Sequence, residues 1–196
     1  MASDRSGLEP YFSRLSTILA SWPALLNPPQ PETVDERQLN EQLRFLAETG
    51  APHAPALLDY FSLVVEYGFH TMVSLYEYTD PYDLSQAMKA RQFKCEIIEY
   101  VDGLITDDYD ETLRKQTVIW PLSFVPISEQ EGWGYAVRCG AIKPGSVWHF
   151  DKSGKLHPEF DSVNSFLEAL LASFEGTALF SDGMPWLDQE GIIEWT

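Results

Sequence analysis

The chain has 196 residues, 44% hydrophobic and 13% aromatic, which suits one substantial core and excludes a disordered polymer. Its 30 acidic residues against 13 lysines and arginines leave a net charge of −17. Such a field repels nucleic acid and anionic membranes and draws basic partners; it also serves plain solubility, since charge informs association and not fold.

The first residues, MASDRSGLEPYF, lack a basic stretch followed by an apolar run, so no secretory signal is expected. No apolar run approaches the roughly 18 residues that cross a bilayer, and the reading is a cytoplasmic protein. Ser6 and Glu9 form a capping-box pattern, after which Leu8, Phe12, Leu15, Leu19 and Trp22 recur at helical spacing. Trp22-Pro23 ends that helix, and NPPQP at 27–31 reads as a stiff connector. Thr33 and Glu36 repeat the capping pattern before a helix carrying Leu39, Leu43 and Leu46 and stopping at Gly50. ALLDYFSLVVEYG is apolar nearly all round, as a core helix is, with Gly68 as its stop.

Residues 69–79, FHTMVSLYEYT, are β-branched and aromatic and predict a strand or strand pair. Asp80-Pro81 reads as a turn, and Asp83 as the cap of a helix from Leu84 to about Val101. On that helix Leu84, Met88, Cys95 and Ile98 share a face with Arg91. Residues 102–115 form the most acidic local segment, expected as a loop with some helical character. Three strand-like runs follow, TVIWPLSFVPI, GWGYAVRCGA and GSVWHFDKSGK. In the second, Tyr135, Val137 and Cys139 alternate with Ala136 and Arg138, as a half-buried antiparallel strand does. The last helix sets Val163, Phe166, Leu167, Leu170, Leu171 and Phe174 on one stripe, capped by Ser162 or Asp161 and ended by Gly176. The tail to Thr196 holds an Asp-Gly turn, Trp186, Trp195 and no basic residue.

Cys95 and Cys139 form no CxxC pair and sit in apolar stretches, which suits reduced core residues better than a disulfide or metal site. His53, His70, His149 and His157 show no HExxH, HxH or H-x3-H spacing. His149 and His157 flank a hairpin turn and are candidates to come close. The signatures of serine hydrolases, P-loops and dinucleotide sites are absent. Asp107, Asp108, Asp110 and Glu111 invite a calcium reading, but Tyr109, Thr112 and Val118 fall where an EF-hand needs a ligand, a glycine and a glutamate. That run is either a solvated loop or an anionic patch for a basic protein. An enzyme using Asp151 with His149 or His157 is a remote third reading, and no cofactor is expected.

Charge is uneven. Residues 101–131 carry seven acidic against two basic side chains and residues 176–196 four against none, whereas 132–175 carry five against four. Of the six tryptophans, Trp120 and Trp148 lie in apolar strands and suit the core. Trp133, between two glycines and just after Glu129 and Glu131, fits either a core position or a loop-to-strand junction. At such a junction, an aromatic beside carboxylates is a hot-spot arrangement for a basic partner.

The order WPLSFVPI, a glycine-rich turn, GYAVRC, SVWHFDKSGK and NSFLEALLASF resembles the SUKH superfamily, whose bacterial members are largely immunity proteins that neutralise polymorphic toxins. APALLDYFSLVVEYG is similar to the early helix of that family. The resemblance covers roughly residues 34–176 and is concentrated in 117–176. It implies an α+β fold, with a curved, mainly antiparallel sheet, helices packed on one side and a face open for protein binding, and it implies no enzymatic activity. The Ser6–Trp22 helix, the proline-rich connector and the acidic tail after Gly176 depart from the pattern within a single domain spanning 1–196. The expectation is a cytoplasmic binding protein for a basic cognate toxin, with Asp107, Asp108, Asp110, Glu111, Glu129, Glu131 and Trp133 as contact residues. The alternative is a regulatory or scaffolding module for an endogenous protein.

Overall fold

The computed structural model describes residues 7–22, 24–48, 55–104, 120, 123–139, 143–152 and 155–196, with backbone only at 36, 38, 45–48, 55–56 and 95–104. Helix α1 (Glu9–Ala20) buries Phe12, Leu15 and Leu19, the stripe its spacing predicts. Its N-cap is Leu8, with no side-chain cap and a proline in the first turn; Ser6 lies outside the described residues. Helix α2 (Glu36–Glu48) is capped by Asp35, whose Oδ1 accepts from the Arg37 N–H at 3.0 Å, in place of the predicted Thr33. Helix α3 (Pro55–Glu66) buries Leu57, Tyr60, Phe61, Leu63 and Val64. Gly68 follows at φ +74, and a Cβ there would stand 2.2 Å from the Gln30 carbonyl carbon. Only glycine lets the proline-rich connector cross so close.

Residues 69–79 depart from the strand expectation. Phe69–Thr71 form a 3-10 turn, and Ser74, Glu77 and Tyr78 have φ of 55°, 42° and 66°, which no extended strand tolerates. Asp80–Pro81, read as a turn, is instead the short strand β1, where edge position excuses the missing proline N–H. Helix α4 (Leu84–Leu104) opens with a reciprocal cap: the Gln86 N–H donates to Asp83 Oδ1 and the Asp83 N–H to Gln86 Oε1, each at 2.7 Å.

Strands β2 (Phe124–Gln130), β3 (Trp133–Arg138), β4 (Val147–Phe150) and β5 (Leu156–Phe160) complete an antiparallel sheet of order β1-β2-β3-β4-β5. β2 starts later than WPLSFVPI predicts. β5 escapes sequence reading because Pro158 and charged neighbours mask it, as befits an edge strand. Helix α5 (Val163–Phe174) carries a Ser162–Ser165 capping box and ends before Gly176 at φ +70. The fold is therefore α+β, with the sheet antiparallel and helices on one side.

Both faces of β3 are covered. Tyr135 and Val137 join Val125, Ile127 and Val147 in the core under α1, α3 and α5. Ala136, on the other face, packs with Trp120, Phe124 and Phe150 in a smaller cluster. Each large apolar side chain so buried contributes about 1.5–3 kcal/mol. The segment after α5 also enters the core. Phe180, Ile193 and Trp195 are buried, and β6 (Pro185–Leu187) pairs with β7 (Ile193–Trp195). The Trp195 indole N–H donates to Ser74 O at 2.8 Å, fastening this hairpin to the loop before β1. Cys139 is a free buried thiol, and burial pushes its pKa up to about 12. Among the described residues no helix is long and apolar enough to cross a membrane.

Candidate functional site

Three two-residue turns meet at one end of the sheet. Glu77-Tyr78 join the bridged pair Tyr76 and Thr79, which exchange backbone hydrogen bonds of 3.1 and 3.0 Å. Glu131-Gly132 join β2 to β3, with Gln130 opposite Trp133. Ser181-Asp182 join the bridged pair Phe180 and Gly183. The Asp-Gly signal in the tail thus marks a real turn, one residue earlier than the dipeptide suggests.

These turns hold unusual backbone. Among the described residues six non-glycines have positive φ, and four of them, Glu77, Tyr78, Glu131 and Ser181, line one cleft of about 530 Å³. Two-residue hairpin loops of this hand favour Asn and Gly, and a side chain there costs roughly 1–2 kcal/mol. The surroundings hold the strain in place. The Tyr78 hydroxyl donates to Trp195 O. Thr79 Oγ1 lies 2.9 Å from Ser128 Oγ, which in turn accepts the Tyr135 N–H at 3.2 Å beside the β2 bulge.

The wall of the cleft is aromatic. Trp133 is 43% exposed and stacks on His149, with ring centroids 5.6 Å apart and planes 20° from parallel. The floor is acidic. Glu77 Oε2 accepts the Tyr135 hydroxyl at 2.9 Å and Oε1 accepts the Asp182 N–H at 3.4 Å. Burial raises the Glu77 pKa above its ordinary value, against the pull of hydrogen bonds from Tyr135, the Asp182 backbone and Ser181. Glu159 on β5 is raised as well, first by burial and further by Glu77 and Asp182, while a hydrogen bond from Ser181 opposes the shift. Tyr135 is pushed up by burial and by both carboxylates, so it stays a neutral donor. His149 is lowered by burial and by His157, against the pull of Asp151. Neutral imidazole, flat indole and a costly carboxylate, with a second carboxylate close behind it, make a surface that gains by receiving a cation.

The sequence-derived contact residues divide. Asp107, Asp108, Asp110 and Glu111 lie outside the described residues. Glu129 sits on the opposite face of the sheet, 3.0 Å from Lys94 and 3.5 Å from the Tyr82 hydroxyl. Glu131 and Trp133 do come together at the cleft rim, where Glu131 is 80% exposed and 3.5 Å from Lys152. Sequence reading missed Glu77, Tyr135, Glu159 and Ser181. No glycine or asparagine marks the Glu77-Tyr78 turn, so its strand-like composition hid it. His149 and His157 are cross-strand partners, and His157 Nε2 is 3.8 Å from Asp151 Oδ2, beyond hydrogen-bond reach. Among the described residues no three His, Cys, Asp or Glu side chains gather as metal ligands. A second depression, of about 540 Å³ between α1 and Pro28–Pro31, is lined mainly by apolar side chains, with Ser16, Glu66 and Tyr67 as its polar members.

No protein-family model matches this chain, and no curated protein is significantly similar to it in sequence.

Proposed function

We propose that this chain is an immunity-type binding protein that neutralises a basic cognate toxin by direct contact, with the cleft at the three hairpin tips as the docking centre. The observation that carries the reading is the exposed Trp133 ring set between Glu131 at the rim and Glu77 beneath. Aromatic anchors beside carboxylates dominate interface energetics, and a net charge of −17 speeds capture of a basic partner. The likeness to SUKH immunity proteins supports the toxin as that partner. A toxin acting on nucleic acid has a basic groove, into which an acidic binder fits as a phosphate mimic. The free buried thiol of Cys139 suits a reducing cytoplasm.

Co-expression with the toxic product of the adjacent gene, scored for growth, tests this reading. Growth restored by the wild-type chain and lost with Trp133→Ala supports it. Killing that continues beside abundant, folded wild-type protein contradicts it, and capture of a housekeeping protein through the same cleft points to a regulatory module instead.

A further inference from the structure

The two faces of the sheet carry similar sets of groups. On the far face Lys94 Nζ stands 4.4 Å from the centre of the Phe150 ring, 5.2 Å from that of Trp120 and 3.0 Å from Glu129 Oε1. A cation is thus held there between aromatic rings and a carboxylate. On the cleft face the rings of Trp133 and Tyr135 and the carboxylate of Glu77 repeat the set, with the Glu159 carboxylate near Glu77 but outside the cleft lining. Among the described residues, however, no lysine or arginine forms an ion pair with either glutamate. Among the described cations, Arg14 pairs with Glu175, Arg37 with Glu41, Lys143 with Asp161 and Lys152 with Glu131.

We infer that the cleft receives one arginine side chain of the protein partner, its guanidinium laid against Trp133 and hydrogen-bonded to Glu77. This inference rests on the docking role proposed above. Arginine fits better than lysine because its flat, weakly hydrated head stacks on an aromatic face while its forked donors meet both carboxylate oxygens. Glu77 Oε2 accepts the Tyr135 hydroxyl and Oε1 the Asp182 N–H, and the Ser181 hydroxyl also reaches Glu77 and Glu159. With the single Ser181 hydroxyl proton on Glu159, each Glu77 oxygen keeps a second lone-pair direction for the guest. The volume of about 530 Å³ exceeds a guanidinium and leaves room for the backbone that bears it. Of the other groups facing Glu77, Glu159 and Asp182 are acidic and favour a positive guest, while Tyr135 and Ser181 are neutral donors. Of the cleft's other ionisable groups, Glu131 is acidic and His149 is held neutral. Lys152 is the one described cation at the rim. It is half exposed, and its pairing with Glu131 is of the surface kind that contributes little.

The test is a titration of the full chain with Nα-acetylarginine methylamide, followed by the tryptophan indole N–H signals in NMR. The lysine and citrulline analogues are run in parallel. The expected result is a saturable shift of the Trp133 indole with a midpoint in about the millimolar range. Citrulline, which keeps the shape and loses the charge, binds at least tenfold more weakly, as does arginine to the Glu77→Gln variant. Glutamine still accepts the Tyr135 hydroxyl, so that variant keeps its fold. Should it not, Trp133→Ala, read from the backbone signals of Glu77 and Tyr135, shows the same weakening of arginine binding. No saturable shift, equal binding of citrulline, or lysine binding as tightly as arginine overturns the inference. Toxin neutralisation with a cleft silent to arginine refutes this inference alone, whereas arginine binding without neutralisation refutes the proposed function alone.

Discussion

Tyr135 and Glu77 stand 58 positions apart in the chain, and the Tyr135 hydroxyl donates a 2.9 Å hydrogen bond to Glu77 Oε2. That bond ties the loop before β1 to the centre of the sheet and keeps a carboxylate where water is scarce.

The cost of that placement is visible in pH dependence. Folded Glu77 and Glu159 ionise above the ordinary 4.5, so the folded state binds their protons more tightly than the unfolded chain does. Stability from these groups is therefore greatest below that value and is lost as pH rises through the raised pKa values. Glu159→Gln removes one charge and keeps an acceptor for Ser181. Urea unfolding should show the variant more stable than wild type at neutral pH, with the difference vanishing by about pH 3.

His149 behaves in the opposite sense. Its folded pKa lies below 6.5, so any stability it lends is present above that pH and lost as pH falls through the folded value. The groups around it are Trp133, Tyr135, His157 and Asp151. Protonated imidazole quenches a stacked indole. The tryptophan fluorescence lost on acidification should show a midpoint below 6.5, and His149→Gln should abolish that step.

The segment after α5 is structural. Trp195 is 3% exposed and packs on Phe174 and Phe180, with ring centroids 5.8 Å away in each case. Trp195→Ala should cost about 3–5 kcal/mol in chemical denaturation, and a chain cut after Gly176 should not yield a cooperatively melting domain.

If the proposed function holds, the acidic run Asp107–Glu111 is expected to act on encounter. Asp110→Lys combined with Glu111→Lys should slow association with the partner and flatten its dependence on ionic strength, with little change in dissociation. Stopped-flow rates across a salt series measure this. Unchanged association removes the run from the interface.

The helices were legible because burial leaves a simple period. Leu8, Phe12, Leu15 and Leu19 repeat every three or four residues, and Asp83 and Ser162 cap where their side chains reach the first turn. The site was legible only in part. Trp133 and Glu131 stand out beside Gly132, whose φ of +90 closes the β2–β3 turn. Glu77 and Ser181 do not, because residues with no intrinsic taste for left-handed backbone are held there by contacts from distant segments. The Glu77–Asp182 hydrogen bond spans 105 positions and the Tyr78–Trp195 bond 117. Such contacts belong to tertiary packing, and local pattern carries no trace of them. Residues 69–79 show the same limit: their composition favours a strand, and the chain turns instead to meet the tail.

The most direct measurement is the affinity of the cognate toxin for wild type and for Trp133→Ala, taken together with their melting curves. Trp133 is 43% exposed, so its removal should leave stability within about 0.5 kcal/mol while weakening binding by at least about 2 kcal/mol, some thirtyfold. An unchanged dissociation constant in a variant that melts like wild type would contradict the assignment of the cleft as the docking centre.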